Sequence, residues 1–142
     1  YDYEEGLAHA KAENKPILLD FTGLGCENCR KIEMNVWAKP EILEIIKNDY
    51  VLISLYLDSR EPLDSSLVRE EQYGGKTYKI RTIGEHWSIF MMKKYHGLMQ
   101  PYYVLLSPDG EKLCEPITYD EAKDVEKYKK FLDTGLEKMK EK

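Results

Sequence analysis

The sequence predicts an α/β domain in which a mixed β-sheet carries helices on both faces. Three observations lead there. Two apolar, β-rich runs, Ile17 to Phe21 and Val51 to Leu57, are separated by a long helical stretch, the pattern of parallel strands joined by a right-handed crossover. A later strand, Tyr102 to Leu106, is followed by the turn Ser107-Pro108-Asp109-Gly110 and a returning strand, Glu111 to Glu115, so the second half adds an antiparallel hairpin. Helical periodicity opens the chain, precedes the hairpin and closes the chain, which supplies cover for both faces. The 142 residues fit one domain, 1–142, long enough to bury a core without staples or a structural metal.

In order, Tyr3, Leu7 and Ala10 recur at helical spacing, so Glu4 to Asn14 is expected as a short amphipathic helix. Lys15-Pro16 stops it, because proline lacks an N–H and pushes its predecessor toward extended geometry. Ile17 to Phe21 reads as a buried strand. Asp20 is its anomaly: a carboxylate between Leu19 and Phe21 is either turned outward by alternation or buried for a purpose, and the local pattern leaves both open. After the turn Thr22 to Gly25, Cys29, Ile32 and Val36 keep one helical face. Ile42, Leu43, Ile45 and Ile46 resume that pattern beyond Pro40, as one kinked helix or two. From Asp58 to Glu85 the apolar pattern thins, and Gly74-Gly75 reads as a two-residue turn with Tyr78 and Ile80 on one face of a hairpin. Trp87, Phe90, Met91, Lys94 and Tyr95 support a helix from Glu85 to Tyr95, with His96-Gly97 as a glycine stop. Val125, Tyr128, Leu132, Leu136 and Met139 step by three and four into a long terminal helix.

Composition excludes several classes of function. With 42% apolar and 33% charged residues the chain is neither disordered nor lipid-soluble in character, and its net charge of −5 argues against a nucleic-acid surface. The lysines from Lys123 to Lys142 alternate with Asp and Glu, as on a solvated helix face. No stretch approaches the roughly 20 apolar residues of a membrane span. His9, His86 and His96 lack the short offset of paired helical ligands, and no second cysteine pair completes a four-cysteine zinc site, so no metal is expected. Cys114 reads as a small buried hydrophobe.

That leaves Cys26-Glu27-Asn28-Cys29, placed between a strand and a helix. The helix would begin at the first sulfur with free N–H groups and a partial positive charge, which stabilise a thiolate. The spacing suits a redox pair, and it also occurs in zinc knuckles and stapling disulfides.

The stretches Lys15-Pro16-Ile17-Leu18-Leu19-Asp20-Phe21, Cys26-Glu27-Asn28-Cys29-Arg30-Lys31 and Gln100-Pro101-Tyr102-Tyr103-Val104-Leu105-Leu106 together resemble the thioredoxin superfamily. Within it, the closer likeness is to the C-terminal, periplasmic domain of the DsbD-type thiol:disulfide interchange proteins, and it runs through nearly the whole chain outside the excursion. The resemblance implies a thioredoxin-like fold with an insertion over about 58–85, ahead of the helix that precedes a cis-proline at Pro101 facing the cysteines. It makes Asp20 the family's buried acid, able to take a proton from Cys29 through a water. Cys26, exposed at the helix start, becomes the attacking thiolate and Cys29 the resolving thiol. Pro101 offers an edge with no N–H for seating a partner chain. No cofactor is implied beyond the Cys26–Cys29 disulfide.

Glu33 falls at an acidic position of the DsbD-type domains. Together with Glu27 and Asp20 it opposes a thiolate at Cys26, so the site is expected to give electrons away, with Arg30 and Lys31 pulling the other way. Gly25 and Glu27-Asn28 stand where many thioredoxins have tryptophan and Gly-Pro, which points to a dedicated partner. The expected function is a disulfide reductase between a membrane electron-donor domain and extracytoplasmic acceptor proteins. Its expected place is the bacterial periplasm, tethered to the inner membrane through a longer parent chain from which this piece, beginning at Tyr1, was excised. A free-standing reductase or isomerase and a redox-inactive binding module are the alternatives.

Overall fold

A computed structural model describes residues 2–142. Helix α1 (Tyr3–Glu13) leads into β1 (Ile17–Thr22), α2 (Glu27–Ile32) and α3 (Pro40–Asp49), then β2 (Val51–Tyr56). The excursion holds β3 (Arg69–Tyr73) and β4 (Lys76–Ile80). After α4 (Ile83–Tyr95) come β5 (Tyr102–Leu106), β6 (Ile117–Thr118), a short α5 (Tyr119–Ala122) and α6 (Val125–Lys140). The main sheet has the order β2-β1-β5-β6, with β1 parallel to β2 and antiparallel to β5, so the mixed sheet read from the sequence is present.

Alternation along β1 feeds two cores. Leu18 packs with Ile32, Val36, Ile42, Tyr128 and Leu132 on one face, while Ile17, Leu19 and Phe21 pack with Ala10, Met91 and Val104 on the other. Complete burial of side chains such as Leu18, Leu19 and Phe21 contributes about 1.5–3 kcal/mol each. With both faces covered, all six β1 residues are buried.

The helix ends follow local chemistry. Asp2 caps α1 by accepting the Glu5 N–H at 2.8 Å, and Asn14 ends it in the left-handed region at φ 53°. The stretch after the cysteines is two helices rather than one kinked helix. Past Ile32 the chain widens into a π-helical turn over Glu33–Trp37, and Lys39 is extended (ψ 132°) so that Pro40 starts α3 in its first turn. Helix α4 ends at Tyr95, as expected, but on a different stop residue. His96, at φ 64°, takes the left-handed position assigned to Gly97.

The return from β5 also differs from expectation. Glu111 to Glu115 is not a strand: Lys112 makes one bridge to Leu106, the chain bulges, and pairing resumes at Ile117 and Thr118 opposite Tyr103 and Tyr102. Pro116 has no N–H for the ladder, and Leu113 turns into the core. Cys114 lies in this bulge as a free, half-buried thiol packed against the core, where a small buried hydrophobe within a strand was expected.

The excursion is an ordered hairpin. Gly74 and Gly75 take φ of 59° and 80°, which a two-residue turn of this hand requires. Glu71 binds Arg69 Nε at 2.6 Å and the Lys93 ammonium, and Arg69 Nη2 meets His86 Nδ1 at 3.2 Å, which fastens the hairpin to α4. Thr82 and Glu85 form a capping box, so α4 begins at Ile83 and takes the last residues of the expected insertion. Where α4 meets the excursion, a Cβ on Gly84 would stand 2.6 Å from the Ser59 carbonyl and 2.7 Å from that of Leu57. Both are backbone atoms, so Gly84→Ala is expected to destabilise the protein by about 1–3 kcal/mol, read from the denaturant midpoint.

Candidate active site

Strand β1 ends at Thr22, the chain turns through Gly23–Gly25, and Cys26 caps α2. Its sulfur accepts the Cys29 N–H at 3.2 Å, and a disulfide joins the two cysteines. Cys26 is 7% and Cys29 1% exposed. The expectation of an exposed Cys26 is therefore corrected: the disulfide turns its sulfur inward onto the start of α2, and Cys26 is only the more open of the pair.

Asp20 is buried. It shares a face of β1 with Leu18 and Thr22, beneath α2, and lies opposite Tyr103 of β5. An outward Asp20 was one of the two readings of the strand pattern, and no outward face exists here because helices cover both. Burial pushes its carboxyl up to about 7; the Ser54 hydroxyl, donating at 2.9 Å, opposes this, the Glu33 charge adds to it, and Arg30 opposes it more weakly. Near neutral pH this carboxyl is divided between acid and carboxylate, the condition for passing a proton.

Glu33 opens the π-helical turn and is held by Arg30 Nη2 at 3.0 Å, while the same nitrogen donates to Thr22 Oγ1 at 3.1 Å. Its charge is thus offset by an ion pair. Glu27 is exposed on the first turn of α2. Pro101 is buried, follows a cis peptide from Gln100, and stands one residue beyond the Phe21–Tyr102 pair, at the same end of the sheet as the cysteine loop. The two segments nearly touch, since a Cβ on Gly23 would lie 2.6 Å from Gln100 Oε1. A side chain at this position would have to displace the end of Gln100.

Sequence reasoning missed Asp58, Ser54 and Arg30's double role. Asp58 Oδ1 accepts the Leu24 N–H at 2.7 Å and Oδ2 the Gly25 N–H at 3.0 Å. The one signal for it was a carboxylate closing the β2 run, which parallel pairing brings beside the end of β1. Exposed apolar side chains on the neighbouring loops are Leu24 at 65%, Leu98 at 52% and Met99 at 39%. A groove of about 250 Å³ runs between Asp58, Ser88, Met99 and Gln100.

Residues 1–78 match the family model described as thioredoxin-like. Anterior gradient protein 3 of Mus musculus is 32% identical over 71 residues, 50% of this chain and 41% of that protein, so the chain spans about two-fifths of the length of the curated relative it matches. Among solved structures, DsbH oxidoreductase superposes with a TM-score of 0.64 at 17% identity, covering 96% of this chain and 83% of that one. A thioredoxin from Thermus thermophilus gives 0.64 at 17% identity, covering 94% and 82%. The DsbD C-terminal domain of Neisseria meningitidis, in its reduced form, gives 0.57 at 14% identity, covering 93% and 92%. At these identities the structural likeness is one of fold.

Proposed function

This chain belongs to the thioredoxin-like family, and from that premise we propose that it is a protein-disulfide reductase relaying electrons through Cys26 and Cys29. A thioredoxin-like fold carrying a Cys-x-x-Cys disulfide supports thiol–disulfide oxidoreductase chemistry in general. The observation that carries the reading is that disulfide, set at the start of α2 near a buried acid.

In the reduced protein the Cys26 thiolate attacks one sulfur of a partner's disulfide. A Cys26–partner bond forms and the partner's other sulfur leaves as a thiolate. Cys29 gives its proton to Asp20 through a water, attacks the Cys26 sulfur and releases the partner's second thiolate. Two electrons have moved, the partner holds a dithiol, and Cys26–Cys29 is a disulfide again. A dithiol donor reverses the sequence to recharge it. No cofactor besides this disulfide enters these steps. Pro101 leaves an edge beside the sulfurs with no N–H of its own, suited to seating the partner's chain.

The direction of flow rests on charge. Glu27 and the Asp20–Glu33 pair disfavour an anion at Cys26, and a less stable reduced form is a better donor. The ion pair of Glu33 with Arg30 leaves Glu27 as the less compensated of the two modulating carboxylates. The partners in this reading are protein thiols and disulfides: a membrane electron-donor domain and extracytoplasmic acceptors, in the bacterial periplasm. The likeness to the DsbD C-terminal domain and the Glu27-Asn28 pair between the cysteines support it. The reading includes a tether through a longer parent chain; among the described residues no helix is long and apolar enough to cross a membrane.

The test is stoichiometric transfer. Protein reduced beforehand and freed of reductant is expected to reduce one disulfide of a test protein per Cys26–Cys29 pair. No transfer from the fully reduced protein would leave a binding module.

A further inference from the structure

Asp58 belongs to none of the steps above, yet it is tied directly to the loop that presents Cys26. Strands β1 and β2 are parallel and in register, Thr22 opposite Tyr56, and the Leu57 N–H donates to the Thr22 carbonyl at 2.9 Å. The residue after Leu57 therefore arrives beside Gly23–Gly25. Its two carboxylate oxygens each take one N–H, from Leu24 at 2.7 Å and Gly25 at 3.0 Å. The fit is close: a Cβ on Gly23 would stand 3.1 Å from Asp58 Oδ2.

Two consequences follow. The N–H groups of the two residues before Cys26 are occupied by Asp58, while the Cys26 sulfur receives the Cys29 N–H at 3.2 Å. The charge of Asp58 is also held by neutral amides, whereas that of Glu33 is offset by Arg30 at 3.0 Å. The Gly25 N–H, opposed by desolvation and joined by the N–H groups of Leu24 and of Asp58 itself, keeps this carboxyl below the usual carboxylate range, with Arg30 a lesser influence. It is ionised throughout the range in which thiols titrate.

We propose that Asp58 is a positioning residue of the exchange reaction, holding the loop before Cys26 and placing a fixed negative charge that disfavours the Cys26 thiolate and biases the pair toward giving electrons away. The proposal rests on the reading of Cys26–Cys29 as a redox pair. Asp58 makes no bond to the reacting sulfurs and acts through the loop and through space.

Asp58→Asn keeps the size and an acceptor oxygen while removing the charge, and Asp58→Ala removes the clamp as well. The reduced proteins are titrated by thiolate absorbance, and the disulfide–dithiol equilibrium with glutathione is measured at about pH 9, above the ordinary thiol value of ~8.5. Asp58→Asn is expected to lower the apparent Cys26 value and to move the equilibrium about two- to fivefold toward the dithiol, as for other exposed charge pairs. The difference from the wild type is expected to shrink in 1 M salt, where the screening length falls to about 3 Å. An unchanged titration and equilibrium in Asp58→Asn overturns the proposal. So does a shift seen only in Asp58→Ala, or one indifferent to salt, since a clamp alone would produce either. If wild-type dithiol reduces no protein disulfide, the proposed function falls, while the titration still decides the place of Asp58.

Discussion

Cys29→Ser is expected to stop turnover and to accumulate protein joined to its partner through Cys26, whereas Cys26→Ser is expected to stop turnover without that adduct. The first sulfur is the more open of the two and caps the helix, so it meets the partner. Cys29 is 1% exposed and its sulfur is bonded to that of Cys26. Without Cys29 the mixed disulfide has no internal route to resolution. Multiple-turnover reduction of a test protein should fall on the order of a thousandfold or more, as when a nucleophile is deleted. Non-reducing electrophoresis and intact mass read the adduct. Equal trapping by both variants would contradict the assignment of attacking and resolving roles.

Asp20→Asn is expected to slow the reaction and stabilise the fold together. As proton acceptor for Cys29, the carboxylate supplies on the order of a hundredfold or more, so release of the mixed disulfide should slow by that factor. The wild-type rate should rise as pH passes about 7, where this carboxyl ionises, and that inflection should be missing in the variant. The sign of the stability effect follows from linkage. The folded-state value, about 7, is raised above the ordinary 3.8, so the folded protein keeps a proton that the unfolded chain has lost. Stability from this group is complete below about pH 4 and declines as pH rises to about 7. At pH 8 the wild type therefore carries a cost on the order of 4 kcal/mol that Asn lacks, because each tenfold change in proton affinity corresponds to about 1.4 kcal/mol. Denaturant unfolding of the oxidised proteins at about pH 4 and pH 8 checks it. A variant advantage as large in acid as in base would show that packing, not ionisation, is responsible.

These expectations draw on different depths of legibility. Helices α1, α4 and α6, the two parallel strands, β5 and the Gly74-Gly75 hairpin follow from local patterns, because period, proline and glycine act within a few residues of themselves. The cysteine pair was legible for the same reason, and so was the helix it opens. Errors fall where a local rule met a distant one. Gly97 is a sound stop residue, yet His96 took the left-handed turn. Glu111 to Glu115 reads as a return strand, but Pro116 and the inward turn of Leu113 shifted pairing to Ile117 and Thr118.

The chain alone could say that Asp20 belongs to a strand and that Cys26 starts a helix. It could not say that both faces of that strand are covered, and so it left Asp20 free to point outward. Burial is a sum over elements far apart in sequence, and it sets the Asp20 carboxyl near neutrality. The ion pair of Arg30 with Glu33 and the clamp of Asp58 on Leu24 and Gly25 likewise exist only after folding, the latter spanning 33 to 34 residues. Sulfur chemistry is written in residue types and spacing, whereas the electrostatics that set its direction depend on distances, and only the packed sheet creates those.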